Sequence, residues 1–165
     1  DISFCLEEYT LPTAPANDLL AGATPIAPSA AGTGCVTPTF VNSTGGDGTT
    51  DSGLDGTCNA TDTGLDRFYT WTSTTDALIY QDGAGGPGIV IRDAVGVEIT
   101  CEGTLAGAGV VLSGWTIGDD LIIQIYDYGT ADVDTSFCLE EYTLPTAVGK
   151  VYSSKQNDVS TSAVP

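Results

Sequence analysis

Short segments in which apolar and polar residues alternate run through the middle of the chain, separated by glycine, aspartate or proline. A period of two is typical of half-buried β-strands, because successive side chains of a strand point to opposite faces. The pattern predicts strands at 67–72, 77–81, 88–93, 95–101, 110–112, 121–126 and 135–142. No apolar pattern with a period of 3.6 residues continues long enough to predict a helix.

Strands this short and closely spaced predict an all-β fold, a jelly-roll-like antiparallel β-sandwich of about eight strands. Residues 41–66 are rich in glycine, threonine and aspartate, which predicts a long surface loop. The residues expected in the core are Trp71, Ile79, Ile91, Ile99, Trp115, Ile123 and Ile125.

The chain contains an internal repeat. Residues 1–14 (DISFCLEEYTLPTA) and 134–147 (DTSFCLEEYTLPTA) are identical at thirteen of fourteen positions. An identity of this length marks a boundary between tandem repeats. We therefore expect 1–14 to be the final strand of a preceding repeat and 15–147 to be one complete repeat. Residues 148–165 are a tail or the start of a following module.

The charge and the absence of histidine exclude several functions. The chain has 22 acidic and 4 basic residues, a formal net charge of −18 and no histidine. These numbers exclude nucleic-acid binding through a basic surface, the Ser-His-Asp and Cys-His catalytic groups, and zinc sites that use imidazole. The adjacent glutamates at 140–141 point to opposite faces of one strand, and 118–120 is explained as a turn. We expect no enzymatic activity, and the apolar runs are too short for insertion into a membrane.

The cysteines indicate an oxidising compartment. Five cysteines without metal-type spacing are typical of disulfides in extracellular or cell-surface proteins. Cys5 is the counterpart of Cys138, so one repeat contains an even set of four cysteines, which allows three pairings. The four are Cys35, Cys58, Cys101 and Cys138.

The order of the motifs resembles the pre-peptidase C-terminal domain family. The motifs are PAPANDLLAGATPI, CNATDTGLDRFYTWTS, LIIQIYDYG and SFCLEEY. They are similar to tandem copies in large secreted and surface adhesin proteins of gliding Bacteroidetes. The resemblance implies an eight-stranded sandwich, export and an auxiliary, non-catalytic role. The family usually opens with Asn-Asp-x-Cys, whereas Leu19-Leu20 follows Asn17-Asp18 here, so we expect the disulfides Cys35–Cys58 and Cys101–Cys138.

The resemblance also implies a calcium site. Where the family binds Ca²⁺, the matching residues in this chain are Asn17, Asp18, Asp62 and Asp66. Ca²⁺ takes roughly six to eight oxygen ligands, which carboxylates, amides and loop carbonyls can supply. The alternative is structural, with an Asx turn at Asn17-Asp18 and Asp66 capping the entry to a strand.

These observations lead to a structural hypothesis and two alternatives. The chain is expected to be a structural repeat unit of an extracellular adhesin or surface filament that serves gliding motility. Its partners are neighbouring repeats, including head-to-tail self-association in which residues 1–14 pair with a sheet edge of another molecule. One alternative is a polysaccharide- or protein-binding module that acts by multivalency, with Tyr80, Tyr126 and Tyr128 stacking on surface glycans. The other is a non-catalytic appendage of a secreted hydrolase.

Overall fold

A computed structural model describes residues 16–34, 39–41, 53–54, 56–58, 66–83, 86–103, 109–126 and 135–145. Within these ranges, nine strands form two packed sheets, which confirms the predicted all-β sandwich. The strands are β1 (Thr24–Pro25), β2 (Thr39–Val41), β3 (Asp66–Thr72), β4 (Ala77–Asp82), β5 (Gly88–Asp93), β6 (Glu98–Glu102), β7 (Val110–Ser113), β8 (Asp120–Tyr126) and β9 (Thr135–Tyr142). One turn of 3-10 helix, Leu20–Gly22, precedes β1.

The two sheets have different sizes. The larger sheet has the order β1-β3-β8-β5-β6, and the smaller sheet has the order β2-β9-β4-β7. Neighbouring strands are antiparallel except for β1 and β3, which are parallel. The seven predicted strands all occur, whereas β1 and β2 were missed because two or three residues are too few to show an alternation.

The core lies between the inner faces of the two sheets and is rich in aromatic side chains. Trp71 meets Trp115 edge-on, with 6.1 Å between ring centroids and an angle of 85° between ring planes. Aromatic pairs favour this geometry because the positive edge of one ring faces the negative face of the other. The buried cluster comprises Tyr69, Trp71, Leu78, Tyr80, Ile89, Ile91, Leu112, Trp115, Leu121, Ile123, Ile125, Phe137 and Leu139.

The residue predicted to face the core from β4 was wrong. Six of the seven expected core residues lie in the cluster or pack against it, but Ile79 does not. Leu78 and Tyr80 are fully buried instead, and Ile79 is only partly buried on the opposite face. The segment from Ala77 to Tyr80 is apolar at every position, so its sequence does not indicate which face is inward.

One side of the sandwich is closed by the chain between β1 and Gly34. Thr24 pairs with Tyr69 of β3, and the Ile26 amide donates a hydrogen bond to the Thr70 carbonyl. A few residues later the Ser29 amide donates to a carbonyl of β9, and the Ser29 carbonyl accepts from an amide of β9. The segment therefore passes from the larger sheet to the smaller one, and Ile26 packs against the core on the way.

The predicted disulfide pairing is wrong. Cys58 is bonded to Cys101, with 5.8 Å between their Cα atoms. Cys101 pairs with Val90 and so lies on the outer face of the larger sheet, because the neighbours of Val90 in β5 point into the core. Cys138 lies on the outer face of the smaller sheet, between the inward-pointing Phe137 and Leu139. Cys101 and Cys138 therefore face away from each other on opposite sides of the sandwich.

Cys138 also forms a disulfide, with a cysteine outside the described residues. Cys5 and Cys35 both lie outside them, and the expected Cys35–Cys58 bond does not form because Cys58 is bonded to Cys101. The domain boundaries at residues 14, 15, 147 and 148 fall there as well.

Part of the predicted surface loop is fixed to the larger sheet. We call residues 53–54 and 56–58 the strap. The Leu54 carbonyl accepts hydrogen bonds from Arg92 (2.6 Å) and Gln124 (3.0 Å), whose side chains are buried on the outer face. Thr57 donates to Glu98 through both its amide and its hydroxyl. Together with the Cys58–Cys101 bond, these contacts cover the middle of the outer face.

Candidate functional site

The start of β3 brings together three of the residues predicted to bind calcium. The Asn17 carbonyl accepts a hydrogen bond from the Phe68 amide at 2.9 Å, so residues 16–18 lie along β3. Asp18 and Asp66 are both buried there, at 5 % and 3 % exposure. Asp62, the fourth predicted ligand, lies outside the described residues.

A buried arginine lies in the same place, and its role was not predicted from the sequence. The Arg67 guanidinium is 4 % exposed, and its Nη1 is 3.5 Å from Asp18 Oδ1. The same Nη1 donates a hydrogen bond to the Asp66 carbonyl at 2.9 Å. The sequence did contain a signal, because the only two arginines of the chain, Arg67 and Arg92, both lie inside predicted strands. An arginine within an otherwise apolar strand needs a buried partner.

Burial dominates the electrostatics of this site. Removal from water raises the pKa of Asp18 above its ordinary value, and the positive charge of Arg67 only partly opposes the change. Burial also raises the pKa of Tyr69, while a hydrogen bond with the Asn17 side chain and the charge of Arg67 act against it. Asp18 Oδ1 accepts no hydrogen bond from any described residue, so the guanidinium is its principal compensation.

The described residues do not form a calcium site on their own. Ca²⁺ requires roughly six to eight oxygens around one point. Here a guanidinium lies next to Asp18, and nowhere in the described ranges do three acidic or cysteine side chains cluster closely enough to hold a metal ion. The contact of Asp18 with Arg67 is a structural role that differs from the expected Asx turn. Calcium binding by a set that includes Asp62 stays a prediction.

A groove of about 650 Å³ lies on the outer face of the larger sheet, between the segment around β1 and the turn that joins β5 to β6. Its lining includes Ile122 and Thr70, which point away from the core, and Asp120 is the only charged residue among the described residues that line it. The Thr72 hydroxyl donates a hydrogen bond of 2.7 Å to Asp120. The remaining lining residues are mostly apolar: Leu20, Ala23, Pro25, Ile26, Trp71, Ala94, Val95 and Leu121. Neither the groove nor its residues were predicted from the sequence.

The tyrosines expected to stack on sugars do not form a surface. Tyr80 is 0 % exposed, and its hydroxyl donates to the Pro87 carbonyl. Tyr126 is 1 % exposed, and its hydroxyl lies 3.0 Å from Cys58 Sγ. The prediction is therefore wrong for these two residues, since neither ring can be reached by a ligand. Tyr128 lies outside the described residues.

The acidic pairs behave as separate groups. Glu140 is buried and accepts a hydrogen bond from the Gly32 amide at 2.7 Å, whereas Glu141 accepts from the Thr74 hydroxyl. Asp119 closes the predicted turn by accepting a hydrogen bond from the Thr116 amide at 2.9 Å. Each of these carboxylates has a structural partner.

Comparison with known proteins gives no relative from which the role of this site could be inferred. No family model, no curated protein and no solved structure matches the chain. Of the residues that the structure describes, none belongs to a helix with the length and hydrophobicity of a membrane span.

Proposed function

We propose that the chain is a structural repeat unit of an extracellular bacterial adhesin or surface filament, in which disulfide-stapled sandwiches follow one another in a tandem array. One observation carries this proposal. The second copy of the repeated sequence, 134–147, coincides with β9, the last strand of the sandwich. The described strands therefore lie between the end of the first copy and the end of the second, which supports a folded unit of one sequence repeat.

The segment between successive units suits a spacer. After the repeated strand the sequence continues TLPTAPAN, with prolines at 12 and 15. Proline fixes its own backbone and biases the preceding residue toward an extended conformation. A short proline-containing linker keeps neighbouring units apart, and each unit of residues 15–147 adds repulsion because it has 18 acidic and 2 basic residues, a net charge of −16.

An extracellular location supports the same role. The Cys58–Cys101 bond and the disulfide of Cys138 are compatible with an oxidising compartment. The resemblance to the pre-peptidase C-terminal family and to surface proteins of gliding bacteria supports export and cell adhesion. No catalytic group is part of this proposal.

The array proposal can be tested by scattering. Proteins with one, two and three tandem copies of residues 15–147 are compared by small-angle X-ray scattering. We expect the maximum dimension of the protein to increase by a constant length with each copy. As a separate test of location, antibodies against the repeat should label intact cells. A matched variant with glycine at both linker prolines is expected to be shorter. A maximum dimension that stays near that of one unit would contradict a spacer role.

The groove favours a second candidate, a binding module for neutral glycans. Its threonine hydroxyls can donate or accept hydrogen bonds, the Asp120 carboxylate can accept them, and its apolar walls can contact the hydrophobic faces of sugar rings. The negative charge of the protein disfavours anionic polysaccharides. Thr70→Arg, which fills the groove, should abolish binding on a glycan array, whereas Val111→Arg on the other sheet should not. Equal binding by both variants would exclude the groove as the site.

A further inference from the structure

β9 occupies a slot between two other strands. Six of its residues pair with β4, from Tyr142 opposite Ala77 to Phe137 opposite Asp82. On its other side, its first three residues pair with β2, and Ser29 exchanges two hydrogen bonds with its later part. β9 is therefore an interior strand, and an empty slot would leave both neighbours without their backbone partners.

The slot also selects side chains on both faces of β9. Phe137 and Leu139 fill the core, and the Phe137 ring lies 5.8 Å from the Tyr69 ring. On the outer face Cys138 forms a disulfide, and Glu140 accepts a hydrogen bond from the amide of Gly32. A strand that replaces β9 must carry two apolar residues, a cysteine and a glutamate in this alternating order.

The first copy of the repeated sequence meets every one of these requirements. Residues 2–9 (ISFCLEEY) match β9 (TSFCLEEY) at seven of eight positions. The difference is Ile2 against Thr135, at the first position of the strand, and both residues are β-branched and favour strands. Phe4, Cys5, Leu6 and Glu7 correspond to the side chains that the slot selects.

We propose that the β9 slot of one molecule accepts residues 2–9 of a second copy of this chain, so that molecules join by exchanging the repeated strand. The two strands make the same backbone and side-chain contacts, so the exchange itself is close to neutral in contact energy. The displaced β9 then becomes free to enter the slot of a further molecule. Such contacts are head-to-tail and need not close, which leads to chains rather than closed dimers. This inference replaces the predicted pairing with a sheet edge and does not depend on the proposed function.

Three variants separate the two copies of the strand. The second-copy variant carries Phe137→Asp and Leu139→Asp, and its matched control, the first-copy variant, carries Phe4→Asp and Leu6→Asp. A third variant carries all four changes. Each is refolded in a glutathione buffer, which allows the disulfide at Cys138 to exchange. Light scattering coupled to size-exclusion chromatography gives the mass, and the fluorescence of Trp71 and Trp115 reports the core.

We expect the first-copy variant to be a folded monomer, because its own β9 is intact. The second-copy variant should fold only in assembled species, with a Tm that rises with protein concentration, and the variant with all four changes should not fold. A second-copy variant that is as unfolded as the four-change variant would overturn the proposal. A folded monomer would overturn it too, because the strand would then come from the same chain.

A direct binding measurement provides an independent readout. A labelled peptide of residues 1–14 is added to the variant with all four changes, whose own strands cannot fill the slot, and the fluorescence anisotropy of the label is followed. Saturable binding is expected, together with a gain of tryptophan signal from the core. The same peptide with Phe4→Asp and Leu6→Asp should bind at least tenfold more weakly. Equal binding of the two peptides would show that the slot does not recognise the repeated sequence.

Discussion

The Arg67 guanidinium lies 3.5 Å from the Asp18 carboxylate, and both side chains are buried where residues 16–18 run along β3. This ion pair links residues 16–18 to β3 of the larger sheet. Removing one partner of a buried pair leaves an uncompensated charge in the protein interior. Replacing both residues should therefore cost less stability than the sum of the two single replacements.

Arg67→Gln should therefore lower the free energy of unfolding by about 3–5 kcal/mol, the typical cost of breaking a buried pair. The double variant with Asp18→Asn should lose less than the sum of the two single variants. Urea denaturation of the four proteins measures the coupling between the two residues. Additive losses would show that the two charges do not interact.

The pH dependence of stability follows from the raised pKa of Asp18. Because the folded protein binds this proton more tightly than the unfolded chain does, the contribution of Asp18 to stability is full below the unfolded pKa. It is lost as the pH rises through the folded pKa. Stability should thus increase when the pH falls from 7 toward the unfolded pKa.

Asp18→Asn removes this titration, so the variant should gain less stability on acidification than the wild type does. The measurement is the Tm of both proteins across this pH range at constant ionic strength. The general relief of charge repulsion affects both proteins equally and cancels in the difference. Parallel curves would contradict the raised pKa.

Without a contribution from Asp62, which lies outside the described residues, calcium should act on this protein as a general divalent cation. Arg67 already compensates Asp18, so Ca²⁺ and Mg²⁺ at equal millimolar concentration should raise Tm by the same small amount through screening of the net charge. Differential scanning calorimetry with chelator, Mg²⁺ and Ca²⁺ makes the comparison. A shift specific to Ca²⁺ that Asp62→Asn abolishes would establish the predicted calcium site.

Loss of the Cys58–Cys101 disulfide should destabilise the fold by about 4 kcal/mol in the chain-entropy model, because the two residues lie 43 positions apart. Cys58→Ser, Cys101→Ser and the double variant should lose the same amount, since each removes the same bond. Peptide mapping of a non-reduced digest should find Cys58 linked to Cys101. A Cys58–Cys35 peptide in that digest would contradict the structure.

Position 88 requires glycine because a neighbouring side chain leaves no room for a Cβ atom, and not because of the backbone conformation there. A Cβ atom at this position would overlap the Tyr126 ring, which is held by a hydrogen bond of its hydroxyl to the Glu102 carbonyl. Gly88→Ala should cost about 1–3 kcal/mol, as overpacking does. Gly109→Ala is the matched control, because its added Cβ meets movable side-chain atoms of Gln81 and Ile79. A loss for Gly88→Ala no larger than for the control, measured by urea denaturation, would be inconsistent with this packing.

The sequence alone determined the strands that carry a clear local pattern, and with them the class of fold. β3, β5, β8 and β9 were predicted within one residue of their observed ends. In β3 and β9 the signal is the alternation of side chains across a sheet, whereas β5 and β8 are short runs rich in β-branched residues and bounded by turn residues. The repeat is likewise a property of the sequence, because the identity of 1–14 with 134–147 is visible in the residues themselves.

Only the tertiary structure decided the contacts between distant segments, because these depend on the sheet to which each residue belongs and on the face that it occupies. Cys101 and Cys138 both lie in predicted strands, yet those strands belong to different sheets, and only the assembled sandwich shows that the two side chains point away from each other. Likewise, Asp18 meets Arg67 only because the segment before β1 packs along β3. A strand pattern specifies inside and outside for each strand separately, whereas contacts between distant segments arise from how the two sheets pack and which loops cover them.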